Sequence, residues 1–358
     1  MKCRLSQFSL PLSPPLFLMR QKHFKRDGLL LHLEDSGFVG LGEINPLPGL
    51  HSENFESAAV QASSLIDRLS ESFLPLNINS FRHFIFDVAN DLNLFPSVLF
   101  GLESALLNLL AQRLNIVPAL LLNPDAADVL TINALLAGDS TQMPETLQAL
   151  LARGCRTVKV KVGREEIASE IALIKELNDQ LPEGAVLRLD ANQAWEFEEA
   201  VQFMQGVGEC AIEYLEEPLK NPERLAELAE FSMVKVALDE SLVAATPENT
   251  TIANNVAALI LKPAVLGGAL KTELWSKKAR QQGVDVVISG SFCSSVGLIS
   301  EAMIASAFSR SAAGLGTWRW LADDLLTERF APKNYVVSVE ELFSQFASLD
   351  ETKLDFQD

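Results

Sequence analysis

The chain has 358 residues, 48% of them apolar and 21% charged, and a formal net charge of −18. This is the composition of a folded globular protein, long enough for one large barrel or for two ordinary domains. The acidic balance argues against nucleic acid as a partner, because phosphate binding needs a basic face. No run reaches the roughly 18 to 20 apolar residues that a membrane span needs.

At the start of the chain, SLPLSPPLFLM is broken by Pro11, Pro14 and Pro15, unlike the continuous core of a signal peptide. Cys3, Cys155, Cys210 and Cys293 are scattered without a CxxC pair, as in a reduced, cytoplasmic enzyme. The alternating stretches KCRLSQFSL, GLLLHLED and FVGLGEIN, with turns expected at Asp27-Gly28 and Ser36-Gly37, predict a three-stranded antiparallel meander. Helical spacing follows over residues 52–72 and 97–115, with Pro118 expected to end the second helix. Residues 1–125 therefore read as an α+β capping domain.

From residue 131 the grammar changes to short β-branched runs separated by helix-patterned stretches such as EEIASEIALIKELNDQ. The runs are TINALLAG, TVKVKV, LRLDAN, IEYLEEP, VKVALDES, ALILKP, VVISGS and AGLGT. Eight alternating βα units predict a parallel sheet closed into a TIM barrel over residues 126–320. The tail, residues 321–358, carries no further run of this kind and is expected to pack back on the capping domain.

Polar residues recur at the ends of these runs: Lys159 and Lys161, then Asp190, Glu216, Asp239 and Lys262. From Lys161 the steps are 29, 26, 23 and 23 residues, about one strand, one helix and two loops each. The ends of such strands converge at the C-terminal mouth of a barrel, where its chemistry sits. Asp190, Glu216 and Asp239 are hard oxygen ligands suited to Mg²⁺, and their oxygens are expected to converge on one ion. Zinc is disfavoured, since no histidine follows His83. Lys159 and Lys161 share one face of a strand and Val158, Val160 and Val162 the other. A divalent cation and neighbouring ammonium groups are expected to lower lysine pKa values towards a working base. Each residue alone also fits an ordinary cap or salt bridge; the constellation points to proton abstraction next to a carboxylate, with a metal-stabilised enediolate.

Ser289, Gly290 and Ser291 end the seventh run, and Ser294 and Ser295 open the next helix. Free N–H groups there would favour a substrate anion, although a serine-capped turn accounts for the same residues. Arg26 and His51, in the cap segments 14–26 and 47–53, are candidates for touching substrate or are plain surface residues.

The order KxK, DAN, EEP, DES, KP resembles the enolase superfamily, whose lysine-and-magnesium sites are a known pattern. Within it the chain is most similar to the proteobacterial o-succinylbenzoate synthases, on RDGLLLHL, GLGEINPLPGL, PSVLFGLESAL and ISGSFCSSVGL. The resemblance implies a (β/α)7β-type TIM barrel with an N-terminal α+β cap. It implies dehydration of 2-succinyl-6-hydroxy-2,4-cyclohexadiene-1-carboxylate to o-succinylbenzoate in menaquinone biosynthesis. Lys161 would be the base and then the acid, Lys262 the opposing lysine and Lys159 an aid to the carboxylate. Asp190, Glu216 and Asp239 would hold Mg²⁺, with Mn²⁺ able to substitute. A small carboxylate substrate, no nucleic acid, no membrane and a monomer are the expected partner states. N-succinylamino acid racemisation, dipeptide epimerisation and muconate cycloisomerisation use related sites, and a barrel that binds metal without turnover is the non-enzymatic alternative. Gly316 stands where relatives often carry an acid, which leaves any polar contact from that position open.

Overall fold

The computed structural model describes every residue except Met19, Arg20, Glu71, Gln357 and Asp358. The chain opens with three long strands, β1 (Lys2–Leu18), β2 (Gln21–Asp35) and β3 (Phe38–Ile44), paired antiparallel in chain order. Ser36 and Gly37 link β2 to β3 with φ of 52° and 87°, the left-handed pair that matches the twist of a two-residue hairpin. The turn expected at Asp27-Gly28 does not exist, because both residues lie inside β2. Gly28 faces Phe8 across the ladder, and a Cβ on it would strike that ring. The glycine makes room for an aromatic side chain. Pairing of β1 with β2 slips between Pro11 and Leu16, where prolines lack the N–H that a ladder needs. Residues 19 and 20 of the expected cap segment 14–26 lie outside the described residues.

Four helices follow: α1 (Phe55–Ser70), α2 (Ile78–Leu92), α3 (Pro96–Leu114) and α4 (Pro118–Leu122). The sequence reading anticipated α1 and α3 but not α2, which starts at a capping box between Asn77 and Ser80 and buries Phe81, Ile85 and Val88. Every residue of α3 from Ser97 to Ala111 is buried, Glu103 and Asn108 included, as in a helix packed on all sides. Asn115, at φ 55°, ends α3 in a left-handed cap; Pro118 does not end it but opens α4.

Beyond them strands alternate with helices over most of the chain, with only 3-10 turns between β8, β9 and β10. The strands and helices are β4 (Val129–Thr131), β5 (Ala134–Leu136), α5 (Met143–Ala152), β6 (Thr157–Lys161), α6 (Ile167–Asn178), β7 (Val186–Asp190) and α7 (Phe197–Gly206). Next come β8 (Ile212–Glu216), β9 (Val236–Leu238), β10 (Val256–Leu261), α8 (Pro263–Leu266), α9 (Ala269–Gln281), β11 (Asp285–Ile288) and α10 (Ser295–Phe308). Strands β5 to β11 form one seven-stranded parallel sheet in chain order. The eighth run, AGLGT, is not a strand. Only Ala313 and Gly314 are extended, bridging Ile132 and Ser289 at the two edges of the sheet, before the chain turns into a 3-10 helix at Gly316–Trp320. Two glycines in three residues give this run little strand propensity.

The tail supplies β12 (Val336–Ser338), which pairs with β4, then α11 (Val339–Ser344) and β13 (Asp355–Phe356), which pairs with β1. Among the described residues no helix is long and apolar enough to cross a membrane.

Strand β6 shows how the sheet places its chemistry. Val158 and Val160 are fully buried towards the helices, whereas Lys159 and Lys161 are half-buried on the other face. On that inner face Tyr214, Ala237, Ala258, Ile260 and Val287 form an apolar cluster of their own. The polar strand ends stand above it.

Candidate active site

The six spaced residues meet at the C-terminal ends of β6 to β10. Lys159 Nζ lies 2.7 Å from Asp190 Oδ2 and 2.7 Å from Glu216 Oε2, bridging the two acids. Lys161 Nζ donates to Asp190 Oδ2 and to Asn192 Oδ1, each at 2.6 Å. Lys262 Nζ is paired with both carboxylate oxygens of Asp239. Strand order therefore puts two lysines on β6, three acids on β7, β8 and at the end of β9, and the third lysine at the end of β10.

The three carboxylates do not close around a single point. Among the described residues no three His, Cys, Asp or Glu side chains form a group that could hold a metal ion as they stand. The physical reason is visible: each acid is turned to an ammonium, two of them to the same one. The pKa shifts follow from the same pairings. Burial disfavours the charge on Lys159, but Asp190 and Glu216 outweigh it and hold its pKa well above the usual lysine value. Lys262 is likewise raised, burial being overcome by Asp239 and Glu216. For Asp190, burial is overcome by Lys159 and Lys161, which hold the carboxyl well below the usual range. Glu216 goes the other way: burial, and then the charges of Asp190 and Asp239, push it well up. The acids still repel one another with the lysines in place.

Two residues the sequence reading passed over organise this row. Asn192, at φ 44°, receives Lys161 and donates from Nδ2 to Glu240 Oε1 at 2.9 Å. Glu217 points away from its neighbour Glu216 and accepts from the Asp239 and Ser241 amides, each at 2.8 Å, and from Ser241 Oγ at 2.9 Å. It fixes the turn that presents Asp239. The second acid of EEP was the available signal.

The seventh-run residues are placed differently. Ser289 is half-buried beside Gly314, and Gly290 donates its N–H to the Gly314 carbonyl. Ser291 is fully buried, and its hydroxyl, both Glu301 oxygens and Thr317 Oγ1 lack a hydrogen-bond partner among the described residues. Burial pushes the Glu301 carboxyl well up. The α10 N-terminus, expected to offer free amides to a substrate anion, is already filled. Glu43 of β3 accepts from the Ser294 and Gly297 amides at 3.0 and 2.9 Å, and Asp324 accepts from the Ser295 amide at 2.9 Å. A buried helix start attracts negative charge, and the chain supplies its own.

Neither cap candidate is a surface residue. Arg26 is buried and spends its guanidinium on the carbonyls of Phe292 (3.0 Å), Pro46 (3.4 Å) and Asn45. His51 is buried, accepts from the Leu47 amide at 3.1 Å, and is pushed down to about 4 chiefly by burial. Arg26 thus ties the cap to the loop that follows β11.

Residues 142–342 match the family described as Enolase C-terminal domain-like, and residues 1–109 match MenC, N-terminal domain. The chain is 32% identical over 305 residues to the o-succinylbenzoate synthase of Yersinia pseudotuberculosis serotype I (strain IP32953), covering 84% of this chain and 85% of that one. Among solved structures it is similar to the muconate lactonizing enzyme from Pseudomonas fluorescens complexed with muconolactone (TM-score 0.82, 22% identity, 98% and 97% of the two chains). It is also similar to the dipeptide epimerase from Enterococcus faecalis V583 complexed with Mg and L-Leu-L-Tyr (TM-score 0.81, 19% identity, 99% of each chain).

Proposed function

The chain belongs to the o-succinylbenzoate synthase family of the enolase superfamily, and on that premise we propose how its residues carry out the reaction. The activity is o-succinylbenzoate synthesis, a carbon–oxygen lyase step of menaquinone biosynthesis. Lys161 takes the ring proton α to the carboxylate of 2-succinyl-6-hydroxy-2,4-cyclohexadiene-1-carboxylate. The same ammonium then gives a proton to the departing hydroxyl. One C–H and one C–O bond break, one C=C bond forms, the ring becomes aromatic and water leaves. Lys262, from the other side of the acid row, stabilises the negative charge that develops on the carboxylate, and Lys159 assists it. Ser289, Gly290 and Ser291 line the succinyl end.

The donor set fits a divalent ion: Asp190, Glu216 and Asp239 are buried hard oxygens whose mutual repulsion is still felt beside three lysines. These three residues would hold Mg²⁺, with Mn²⁺ able to replace it, and the ion would supply positive charge for the substrate carboxylate. We further read β5 to β11 with Ala313 and Gly314 as a closed (β/α)7β barrel over residues 126–320, capped by residues 1–125 and the tail 321–358.

The observation that carries this reading is the strand order, which sets Lys161 and Lys262 on opposite flanks of the three acids. The test is to incubate the purified protein with the cyclohexadiene substrate, with and without Mg²⁺, and follow aromatisation. Mg²⁺-dependent product formation is expected; no product under either condition would overturn the assignment.

A further inference from the structure

Helices cover most of the outer face of the sheet, but not at its last edge. After Gly314 the chain enters only the short 3-10 helix Gly316–Trp320 and then runs to the hairpin before β12. This leaves a cavity of about 210 Å³ against Asn133 and Leu135, walled by Arg153, Trp318, Arg319 and Tyr335. Arg153 follows α5, just before β6 begins, whereas Lys161 ends β6.

Two guanidiniums converge there on one ring. Arg153 Cζ lies 5.7 Å and Arg319 Cζ 5.9 Å from the Tyr335 centroid, and Arg319 Cζ is also 5.4 Å from the Trp318 centroid. Among the described residues the only hydrogen bond either guanidinium makes is from Arg319 to Tyr335 Oη at 3.4 Å. Neither has a carboxylate partner among the described residues, in a chain whose net charge is −18. Two like charges gathered over one ring repel, and an anion between them would reverse that term. Asn334 and Tyr335 hold φ of 51° and 63° in the two-residue turn between Lys333 and Val336. A tyrosine resists that left-handed geometry, yet here it sets the ring between the arginines.

We propose that this cleft binds a small aromatic carboxylate, its ring stacked against the partly exposed Trp318 and its charge held by Arg153 and Arg319, which the buried Tyr335 ring sets in place. A cavity of about 150 Å³ already takes benzene, so the space suffices for one substituted ring. Both arginines are exposed, which gives a ligand access. Gly316 sends no side chain into the cleft, and a Cβ there would meet nothing closer than the Asn133 carbonyl oxygen at 4.0 Å. A carboxylate built at that position would therefore occupy the ligand's place.

The test is titration calorimetry of the full chain with phthalate, and separately with inorganic phosphate. Phthalate should bind; Arg153→Ala/Arg319→Ala should weaken it at least about tenfold with turnover unchanged, and Gly316→Glu should weaken the binding by a similar factor. Unchanged turnover also reports an intact fold; should the double variant lose it, Gly316→Glu, which keeps both arginines, decides. Absence of phthalate binding, or binding within about twofold of the parent in the folded variants, would overturn the proposal. Phosphate binding as tightly as phthalate would overturn the aromatic assignment. Because the strand-end lysines are not altered, the outcome is independent of the role given to Lys161.

Discussion

Glu103 couples the cap to the layer behind β10, and its protonation gives that coupling a measurable signature. It stands on α3, is fully buried, and accepts from the Leu270 amide at 3.1 Å, so it caps α9 from another element. Burial pushes its carboxyl from 4.5 up to about 8. The folded chain therefore keeps a proton that the unfolded chain gives up above pH 4.5, and stability falls as pH rises between the two values. Each pH unit in that window costs about 1.4 kcal/mol, so about 3 kcal/mol is lost by pH 7 and about 5 kcal/mol above pH 8. Glu103→Gln keeps an acceptor for the Leu270 amide but cannot ionise. Urea unfolding of both proteins from pH 5 to 9 isolates this group, because other titrating residues cancel in the difference. The variant's advantage should climb by about 1.4 kcal/mol per unit from pH 5 and level off near pH 8. A difference that stays flat across the range would refute the reasoning.

Two further outcomes are expected. Lys161→Ala should lower kcat by about 10² to 10⁴-fold while the unfolding midpoint stays near that of the parent, as for loss of a general base; unchanged turnover would remove Lys161 from the mechanism. Gly42→Ala should destabilise the cap by at least about 1 to 3 kcal/mol in denaturant melts, because its Cβ would strike the Gly101 carbonyl of α3; a neutral effect would mean that β3 and α3 are not in the close contact described.

Much of this fold is written in local pattern. The beat of Lys161, Asp190, Glu216, Asp239 and Lys262 needs only strand alternation and a constant βα length, and the structure gathers all five at one set of strand ends. Helix α2 was equally legible, since Asn77 and Ser80 cap it and Phe81, Ile85 and Val88 follow at helical spacing. The Asp27-Gly28 pair misled because the same two letters serve a turn or a glycine yielding to a facing ring, and only the partner strand, here Phe8, decides.

What local pattern does not carry is which acids are already committed. Glu217, Glu43, Asp324, Glu103 and Glu170 all accept from backbone amides, several of them far along the chain. Those donors are fixed by folding, so the carboxylates are structural. Among the described residues Glu216 meets only a lysine side chain, and Asp239 faces one as well. Asp190 adds a single amide, that of Asn192, to its two lysines. An ammonium on a flexible stem can leave where an amide cannot, and the proposal that a cation takes these three acids rests on that difference, with Asp190 keeping its Asn192 amide. Adjacent and chemically identical, Glu216 and Glu217 fall on opposite sides of this division because β8 ends at Glu216, and Glu217, at φ 40°, begins the turn beyond it. The distinction between a proposed ligand and a brace is therefore set by the donor opposite, and that donor is placed by the fold.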